Sequence, residues 1–381
     1  MIMVEWFLWI CIWLLVWTYA IYPVFIWLLS LIYPSIWKEK AFTGKVSMIV
    51  AAYNEEDVIR EKIENSLKLN FGICQSEIIF ISDGSTDATE MILNEYQQYS
   101  NNMKIIIQHL RGGKSQALNI GVEKAKGDIL IFSDANVMIN EDACKALLKP
   151  FYDKKVGAVC GKVLVKARGK QEVAGESLYM KYEGWVQRSE AKFVSMVGID
   201  GALFALRREF FTPLNPGIIL DDFTLSMNVP LAGSRIVYAK DALAMEEVMP
   251  SVKNEFKRKV RIVAGGYQYL AGFFNRNGSI GVLVWFEFIS HKILKWAAPF
   301  AMIFIFFTNL LLINIAGYKL LFAAQVIFYL LALSGHIFIR LRKVYIVYVP
   351  YYFCVVNLAA LVGCARYFNK GQKSLWVKVD R

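Results

Sequence analysis

Apolar residues follow two different patterns along this chain. Three segments, 6–37, 296–318 and 344–365, contain no Asp, Glu, Lys or Arg. A helix needs about 20 apolar residues to cross a bilayer, so these segments are long enough to span one. Between the first two, short apolar runs alternate with longer mixed stretches. The pattern therefore predicts a polar central domain that is flanked on both sides by membrane segments.

The central segment, residues 45–275, has the alternation that is typical of an α/β domain. The apolar runs predict strands at 46–52, 78–82, 104–108 and 128–133, and the amphipathic stretches predict helices at 55–69, 86–99 and 114–126. Strands separated by helices favour a mainly parallel, Rossmann-like sheet with helices on both faces. About 230 residues are enough for one such domain.

The flanking segments predict the membrane organisation. Residues 1–37 are expected to form one transmembrane helix bent at Pro23, since the apolar run is too long for a signal peptide. Residues 280–296 are expected to form an amphipathic helix in the membrane interface, followed by a C-terminal transmembrane region and basic tail at 297–381. Basic residues flank segment 344–365 on both sides, so it either crosses the membrane against the charge rule or re-enters as a broken helix, which we favour.

The net charge of +11 is unevenly distributed. Residues 280–381 carry 11 basic and 2 acidic side chains, whereas the central segment is nearly balanced. Basic residues beside membrane segments mark the cytoplasmic side. The charge therefore predicts contact with membrane lipids and a cytoplasmic central domain, and it argues against a nucleic-acid partner.

Acidic residues follow directly after two of the predicted strands. Asp83 and Asp134 are placed at carboxyl ends of strands, where open α/β sheets bind their ligands. Asp83 can accept a hydrogen bond from the imide N–H of a uracil ring, and Gly84 would allow a ligand to approach the backbone. Lys114, after a glycine-rich loop, places a cation where phosphates would lie. Asn136, two residues after Asp134, offers an amide oxygen to a divalent cation but no charge.

Three further segments have two readings each. Residues 52–55 could hold a base or ribose, or form an ordinary strand-to-helix turn. Asp221 and Asp222 repel each other, so one has a raised pKa suited to a general base; alternatively they decorate a helix amino terminus. The basic turn containing Arg258 and Arg261 could neutralise a leaving diphosphate or face anionic lipid.

Together these motifs resemble a family 2 glycosyltransferase with the GT-A fold, of the membrane-embedded kind that includes hyaluronan, cellulose and poly-N-acetylglucosamine synthases. The resemblance covers residues 45–275 and extends loosely to 290–292 and to the tail at 376–381. It implies that Asp83 contacts the base, that Asp134 lies at the ribose-diphosphate and metal region, and that Asp222 is the catalytic base. Gly201 and Ala202 would line the acceptor and donor sugar pocket.

Site residues are expected for the nucleotide-sugar, for catalysis, for the diphosphate and for a metal ion. The nucleotide-sugar residues are Ala52, Tyr53, Asn54, Glu55, Asp83, Gly84, Lys114, Asp134 and Ala135. The catalytic pair is Asp222 with Asp221, the diphosphate residues are Arg258 and Arg261, and the ligands of Mg²⁺ or Mn²⁺ are Asp134 and Asn136. Two departures from the family weaken the analogy: Asn136 replaces an acid, and of the Q-x-x-R-W motif of polymerising members only Arg261 remains.

The resemblance implies an inverting transfer of a sugar from a nucleotide-sugar, expected to be a UDP-sugar, to a hydroxyl of a growing polysaccharide. The expected place is the cytoplasmic face of a bacterial inner membrane, with assembly or export subunits as candidate partners. One alternative is the addition of a single sugar to a lipid-linked oligosaccharide. Another, which retention of Asp83, Asp134 and Asp222 disfavours, is a catalytically idle scaffold of an assembly complex.

Overall fold

The computed structural model describes residues 1–99, 101–167, 174–199, 201–248, 252–273, 279–369 and 371. The tail motif at 376–381 lies outside these residues. The strands are β1 Lys45–Ala52, β2 Gln75–Asp83, β3 Met103–Gln108, β4 Ile129–Ser133, β5 Val137–Ile139, β6 Val156–Ala167, β7 Leu203–Arg207 and β8 Arg235–Val248. The helices of the central domain are α3 Ile59–Leu67, α4 Thr89–Tyr96, α5 Lys114–Lys124, α6 Ala143–Leu148, α7 Ala174–Phe193, α8 Asp221–Leu231 and α9 Val252–Phe273.

The strands form one sheet in the order β3-β2-β1-β4-β7-β6-β8-β5. β1 pairs in parallel with β2 and β4, β2 pairs in parallel with β3, and β6 pairs in parallel with β8, whereas β7 and β5 run antiparallel to their neighbours. The predicted α/β fold with a mainly parallel sheet is therefore confirmed. Because β1, β2 and β4 are parallel neighbours, their carboxyl ends at Ala52, Asp83 and Ser133 lie along one edge.

The sheet is covered on both faces, which explains its nearly continuous apolar strands. Successive side chains of a strand point to opposite faces. Met48 and Val50 of β1 accordingly pack into a core with α3, α4 and α6, and Ile49 and Ala51 pack into a second core with α5 on the other face. The site-bearing edge is thus held by a sheet that is buried from both sides.

Four helical stretches of the described residues are long and apolar enough to cross a membrane. They are Ile2–Ile32 (α1 Ile2–Val16, a π-helical turn Trp17–Ile21 and α2 Tyr22–Ile32), Val282–Leu311 (α10 Val282–Phe288, a π-helical turn Ile289–Ile293 and α11 Leu294–Leu311), α12 Ala316–Ile337 and α13 Tyr345–Phe368.

Three details differ from the sequence-based expectation. The first helix ends at Ile32 and not at residue 37, since Pro34 stops it from continuing. The expected interface segment 280–296 runs without a break into α11, because its apolar residues continue one helix. The re-entrant interpretation of 344–365 expected a broken helix, whereas α13 is continuous through Pro350.

A buried polar cluster joins the membrane helices to the central domain through α7. The imidazole of His291 contacts Glu190 Oε1 through Nδ1 at 2.7 Å and Glu183 Oε2 through Nε2 at 2.9 Å. Lys295 also contacts Glu183, and the Tyr22 hydroxyl donates to Glu190 Oε1 at 2.6 Å. Glu183 and Glu190 are seven residues apart and therefore share one face of α7. This cluster fixes α7 against helices from both ends of the chain.

Candidate active site

Lys114 connects two of the predicted acidic sites at the carboxyl edge of the sheet. Its Nζ lies 2.8 Å from Asp134 Oδ1 and 3.1 Å from Asp221 Oδ2. Asp134 follows β4, Lys114 begins α5 and Asp221 begins α8, so three separate elements converge on one ammonium group. Burial disfavours the charged lysine, but the carboxylates of Asp134, Asp221 and Asp222 outweigh burial and raise the pKa of Lys114 above its ordinary value.

Asp222 has the electrostatic environment of a general base. Burial and the neighbouring charge of Asp221 raise the pKa of Asp222 to about 7, while the charges of Lys114 and Arg261 act in the opposite direction. The Phe223 N–H donates to its Oδ1 at 2.7 Å. A base whose pKa lies near the working pH is the most effective proton acceptor, because it is both deprotonated and basic.

Gly201 stands beside this carboxylate. A Cβ added to Gly201 would lie 2.6 Å from Asp222 Oδ2, which is closer than real Cβ atoms approach other heavy atoms. The glycine that was expected to line the sugar pocket therefore also leaves room for the Asp222 side chain. Its neighbour Ala202 is partly buried and packs against the core that contains Met48 and Val50.

The Asp83 carboxylate is fully buried and bonded to the protein itself. Its two oxygens accept the backbone N–H groups of Gly112 and Gly113, each at 2.8 Å. Burial raises the pKa of Asp83, and these two hydrogen bonds partly offset the effect. Gly84 adopts φ +65°, and a Cβ there would lie 2.8 Å from the Arg111 backbone nitrogen. Gly84 thus allows the loop before Lys114 to approach the backbone closely. Asp83 and Gly84 together shape that loop.

Residues 52–55 are joined to the segment that follows β2. Asn54 has φ +54°, its N–H donates to Ser85 Oγ at 3.2 Å, and its Oδ1 accepts the Thr86 N–H at 2.8 Å. The Glu55 N–H donates to Thr89 Oγ1 at 2.8 Å. Asn54 therefore does not cap α3, which begins five residues later at Ile59. These bonds hold the turns after β1 and β2 together, beside the buried Ala52.

A stacked pair at the same edge was not found by sequence reasoning. The guanidinium of Arg111 lies 3.8 Å from the ring centroid of Tyr53, within the range of a cation–π contact. Tyr53 was expected in the nucleotide site, but its partner comes from the loop that Asp83 organises. The only sequence signal was the position of Arg111 directly before two glycines.

The oxygen atoms near Asp134 fit a divalent cation whose coordination would be completed by phosphate oxygens. Asp134 keeps a partly exposed carboxylate, and Asn136 donates through Nδ2 to Glu246 Oε1 at 3.1 Å, which leaves its amide oxygen available. Within the described ranges, no group of three His, Cys, Asp or Glu side chains could hold a metal ion. Mg²⁺ is often bound by one or two carboxylates together with phosphate oxygens, and this donor set suits that mode. Sequence reasoning did not identify Glu246.

The last three predicted residues have different surroundings. Ala135 is fully buried in the core behind the loop. Arg261 is close enough to influence the pKa of Asp222, whereas Arg258 forms an ion pair with Glu255 at 2.8 Å on the same helix, α9. The structure thus brings Lys114, Asp134, Asp221 and Asp222 together.

The chain is similar to known proteins over its central part. Residues 47–212 match the family model of Glycosyl transferase family 2. The chain is 28% identical over 232 residues to the poly-beta-1,6-N-acetyl-D-glucosamine synthase of Staphylococcus aureus (strain MSSA476), which covers 59% of this chain and 55% of that protein. It is 26% identical over 271 residues to the synthase of Staphylococcus epidermidis, covering 65% of each. The matches therefore span between about half and two thirds of these curated relatives.

A solved structure shows the same fold over nearly the whole chain. The mannosyltransferase PcManGT from Pyrobaculum calidifontis, in complex with GDP-Man and Mn²⁺, superposes with a TM-score of 0.74 at 17% identity, covering 96% of this chain and all of that one. The shared fold agrees with the predicted GT-A architecture.

Proposed function

We propose that the protein transfers a sugar from a nucleotide-sugar to an acceptor hydroxyl with inversion at the anomeric carbon. The match of residues 47–212 to the model of Glycosyl transferase family 2 supports this class of reaction. The observation that carries the proposal is the Lys114 bridge. It joins Asp134, on the expected donor side, to the Asp221–Asp222 pair on the expected acceptor side. Donor and base would therefore lie in one site, as a single displacement requires.

In the proposed reaction, Asp222 takes the proton of the acceptor hydroxyl while that oxygen attacks the anomeric carbon. The bond between this carbon and the diphosphate breaks, and the diphosphate leaves with the electron pair. Arg261 and Lys114, whose charges both act on Asp222, would stabilise its charge. Asp134 and Asn136 would hold a Mg²⁺ or Mn²⁺ ion, which when bound would neutralise part of the diphosphate charge.

The acceptor is proposed to be a growing polysaccharide at the cytoplasmic face of the membrane, as the names of the Staphylococcus relatives suggest. One observation favours the alternative of a lipid-linked acceptor that receives a single sugar. Arg261 on α9 is followed by Ile262, so the chain lacks the aromatic residue of the polymerase motif at that position. Product length distinguishes these acceptors, since only a polymerase extends the same chain repeatedly.

The test is release of nucleoside diphosphate by the detergent-purified protein over a panel of UDP-, GDP- and dTDP-sugars. UDP-N-acetylglucosamine and GDP-mannose are included because of the proteins that this chain resembles, and each is tested with Mg²⁺, Mn²⁺ or chelator. We expect turnover of one donor, loss of at least 100-fold in Asp222→Asn, and normal turnover in Asp241→Asn, the same change at an exposed position. Equal activity of Asp222→Asn and the wild type would contradict the assigned base. Inactivity of the folded wild type on every donor and acceptor would favour the scaffold.

A further inference from the structure

Lys62 is a fully buried lysine beneath the loop that carries Asp134. It lies on α3, and its Nζ donates to Ser133 Oγ at 2.9 Å and to the Val137 carbonyl at 2.5 Å. Lysine is almost never fully buried without an ionic partner. Among the described residues, no carboxylate lies within ion-pair distance of Lys62. Its two hydrogen bonds are instead made to the two ends of the segment 133–137.

Asn65, one turn further along α3, contacts the strand that follows this loop. Its side chain donates to the Ile139 carbonyl and accepts the Ile139 N–H, both at 2.8 Å. Lys62 and Asn65 are three residues apart and therefore project from one helix face. This face holds the backbone of the loop from within the protein.

The other side of the same loop carries the groups assigned to the donor. Asp134 contacts Lys114 at 2.8 Å, and Asn136 contacts Glu246 at 3.1 Å. Lys62 touches neither of them directly. Burial lowers the pKa of Lys62 to about 7, and electrostatic interactions with Cys144 and Asp134 oppose this shift. The neutral amine and the ammonium both have enough N–H groups for the two bonds, so either form can hold the loop.

We propose that Lys62 is a positioning residue for donor binding, which fixes the segment Ser133–Val137 so that Asp134 and Asn136 face the donor diphosphate and its cation. This inference rests on the proposed function. It assigns Lys62 to the binding of the nucleotide-sugar and not to proton transfer at Asp222, which lies on another element. Residues that orient metal ligands typically change affinity or activity 10- to 100-fold when they are replaced.

The test is Lys62→Met, which keeps the length of the side chain and removes both donors. We expect the KM for the nucleotide-sugar and the half-saturating Mn²⁺ concentration to rise about tenfold, with kcat changed less than about threefold. Binding of UDP in the presence of Mn²⁺, measured by titration calorimetry, is expected to weaken by a similar factor. Lys68→Met, the same change at an exposed residue after the same helix, is the matched control and should alter none of these quantities.

Ser133→Ala is a second variant that tests the same contact, for the case that Lys62→Met does not fold. This variant removes one acceptor of the Lys62 amine, and it should weaken UDP binding in the same direction. In the double variant the effects should not add, because both changes break one contact. Unchanged UDP binding in both single variants, a loss confined to kcat, or fully additive effects would overturn the inference. If the wild type itself binds no UDP, GDP or dTDP, then the proposed function fails, and this result is distinct from a failure of Lys62.

Discussion

Gly201 lies directly against the carboxylate of Asp222, with room for no more than a hydrogen atom between them. The distance from a Cβ at residue 201 to Asp222 Oδ2 would be 2.6 Å. On its other oxygen Asp222 accepts the Phe223 N–H at 2.7 Å. The carboxylate is therefore held between a backbone donor and a glycine, and any side chain at residue 201 must displace it.

Gly201→Ala is accordingly expected to lower kcat about 100-fold, since a displacement of about 1 Å at a reacting group costs this much. The fold should persist, because the added methyl can be accommodated by rotation of the Asp222 side chain. The measurement is the steady-state rate of diphosphate release together with the melting temperature in detergent.

Gly184→Ala is the matched control for this experiment. Gly184 lies within α7, and a Cβ there would have only Arg188 Nη1, at 3.8 Å, within 4 Å. Alanine is favoured over glycine in helices by about 1 kcal/mol, so this variant should be active and slightly more stable. Equal rates for the two variants would show that the space beside Asp222 is not needed for catalysis.

The raised pKa of Asp222 predicts the pH dependence of the rate. If Asp222 accepts the acceptor proton, kcat should rise about tenfold per pH unit below a pH of about 7 and level off above it. A flat profile between pH 5.5 and 7.5, with chemistry shown to be rate-limiting, would contradict this role. Asp241→Asn should leave the profile unchanged.

The same shift predicts a pH-dependent effect on stability. The pKa of Asp222 is about 4 in the unfolded chain and about 7 in the folded protein. At a pH between these values, the carboxyl group is ionised in the unfolded chain and neutral in the folded protein. Rising pH through this window therefore favours unfolding. Asp222→Asn avoids this cost, so it should melt at a higher temperature than the wild type at pH 8 and show a smaller difference at pH 5.

The positions of the acidic groups could be predicted from the sequence because of one geometric rule. Carboxyl ends of neighbouring parallel strands meet at one edge, so an acid after each strand is expected there. This rule placed Asp83 and Asp134 correctly at the edge. It could not show that Asp83 is bonded to Gly112 and Gly113, since the pairing of a side chain with a distant loop has no periodic signal.

The contacts made by Lys62 illustrate the same limit. The pattern of α3 indicates that Ile59 and Ile63 face the core, and Lys62 interrupts that apolar face. Its partner Ser133 lies 71 residues further along the chain, so only the three-dimensional arrangement shows what the lysine bonds to. The sequence pattern also did not show that residues 282–311 form one helical stretch, because isolated polar residues interrupt its apolar run.

Lys114→Met should move the acidic limb of the rate profile to higher pH. The charge of Lys114 lowers the pKa of Asp222, so its removal leaves two adjacent carboxylates with less compensation. The KM for the donor should rise as well, since Asp134 loses its 2.8 Å partner. Lys124→Met is the control, because Lys124 lies on the same helix, is exposed, and pairs with the neighbouring Glu123 at the surface. An unchanged limb in Lys114→Met would show that this cation does not tune the base.

His291 is expected to determine how firmly the membrane helices are attached to the central α/β domain. Its ring nitrogens lie 2.7 Å from Glu190 Oε1 and 2.9 Å from Glu183 Oε2. His291→Leu would remove one hydrogen-bond partner from each of these two glutamates in a buried site. Loss of a partner from a buried polar group typically costs about 1–3 kcal/mol.

We therefore expect His291→Leu to lower the melting temperature in detergent by several degrees. The decrease should be the same whichever nucleotide-sugar is bound. His336→Leu is the matched control, because His336 is exposed on α12 and lies outside the cluster. This variant removes the same ring. Since α7 ends at Phe193, eight residues before Gly201, loosening its attachment should also reduce kcat. A variant with the wild-type melting temperature and rate would show that the cluster does not couple the two parts of the protein.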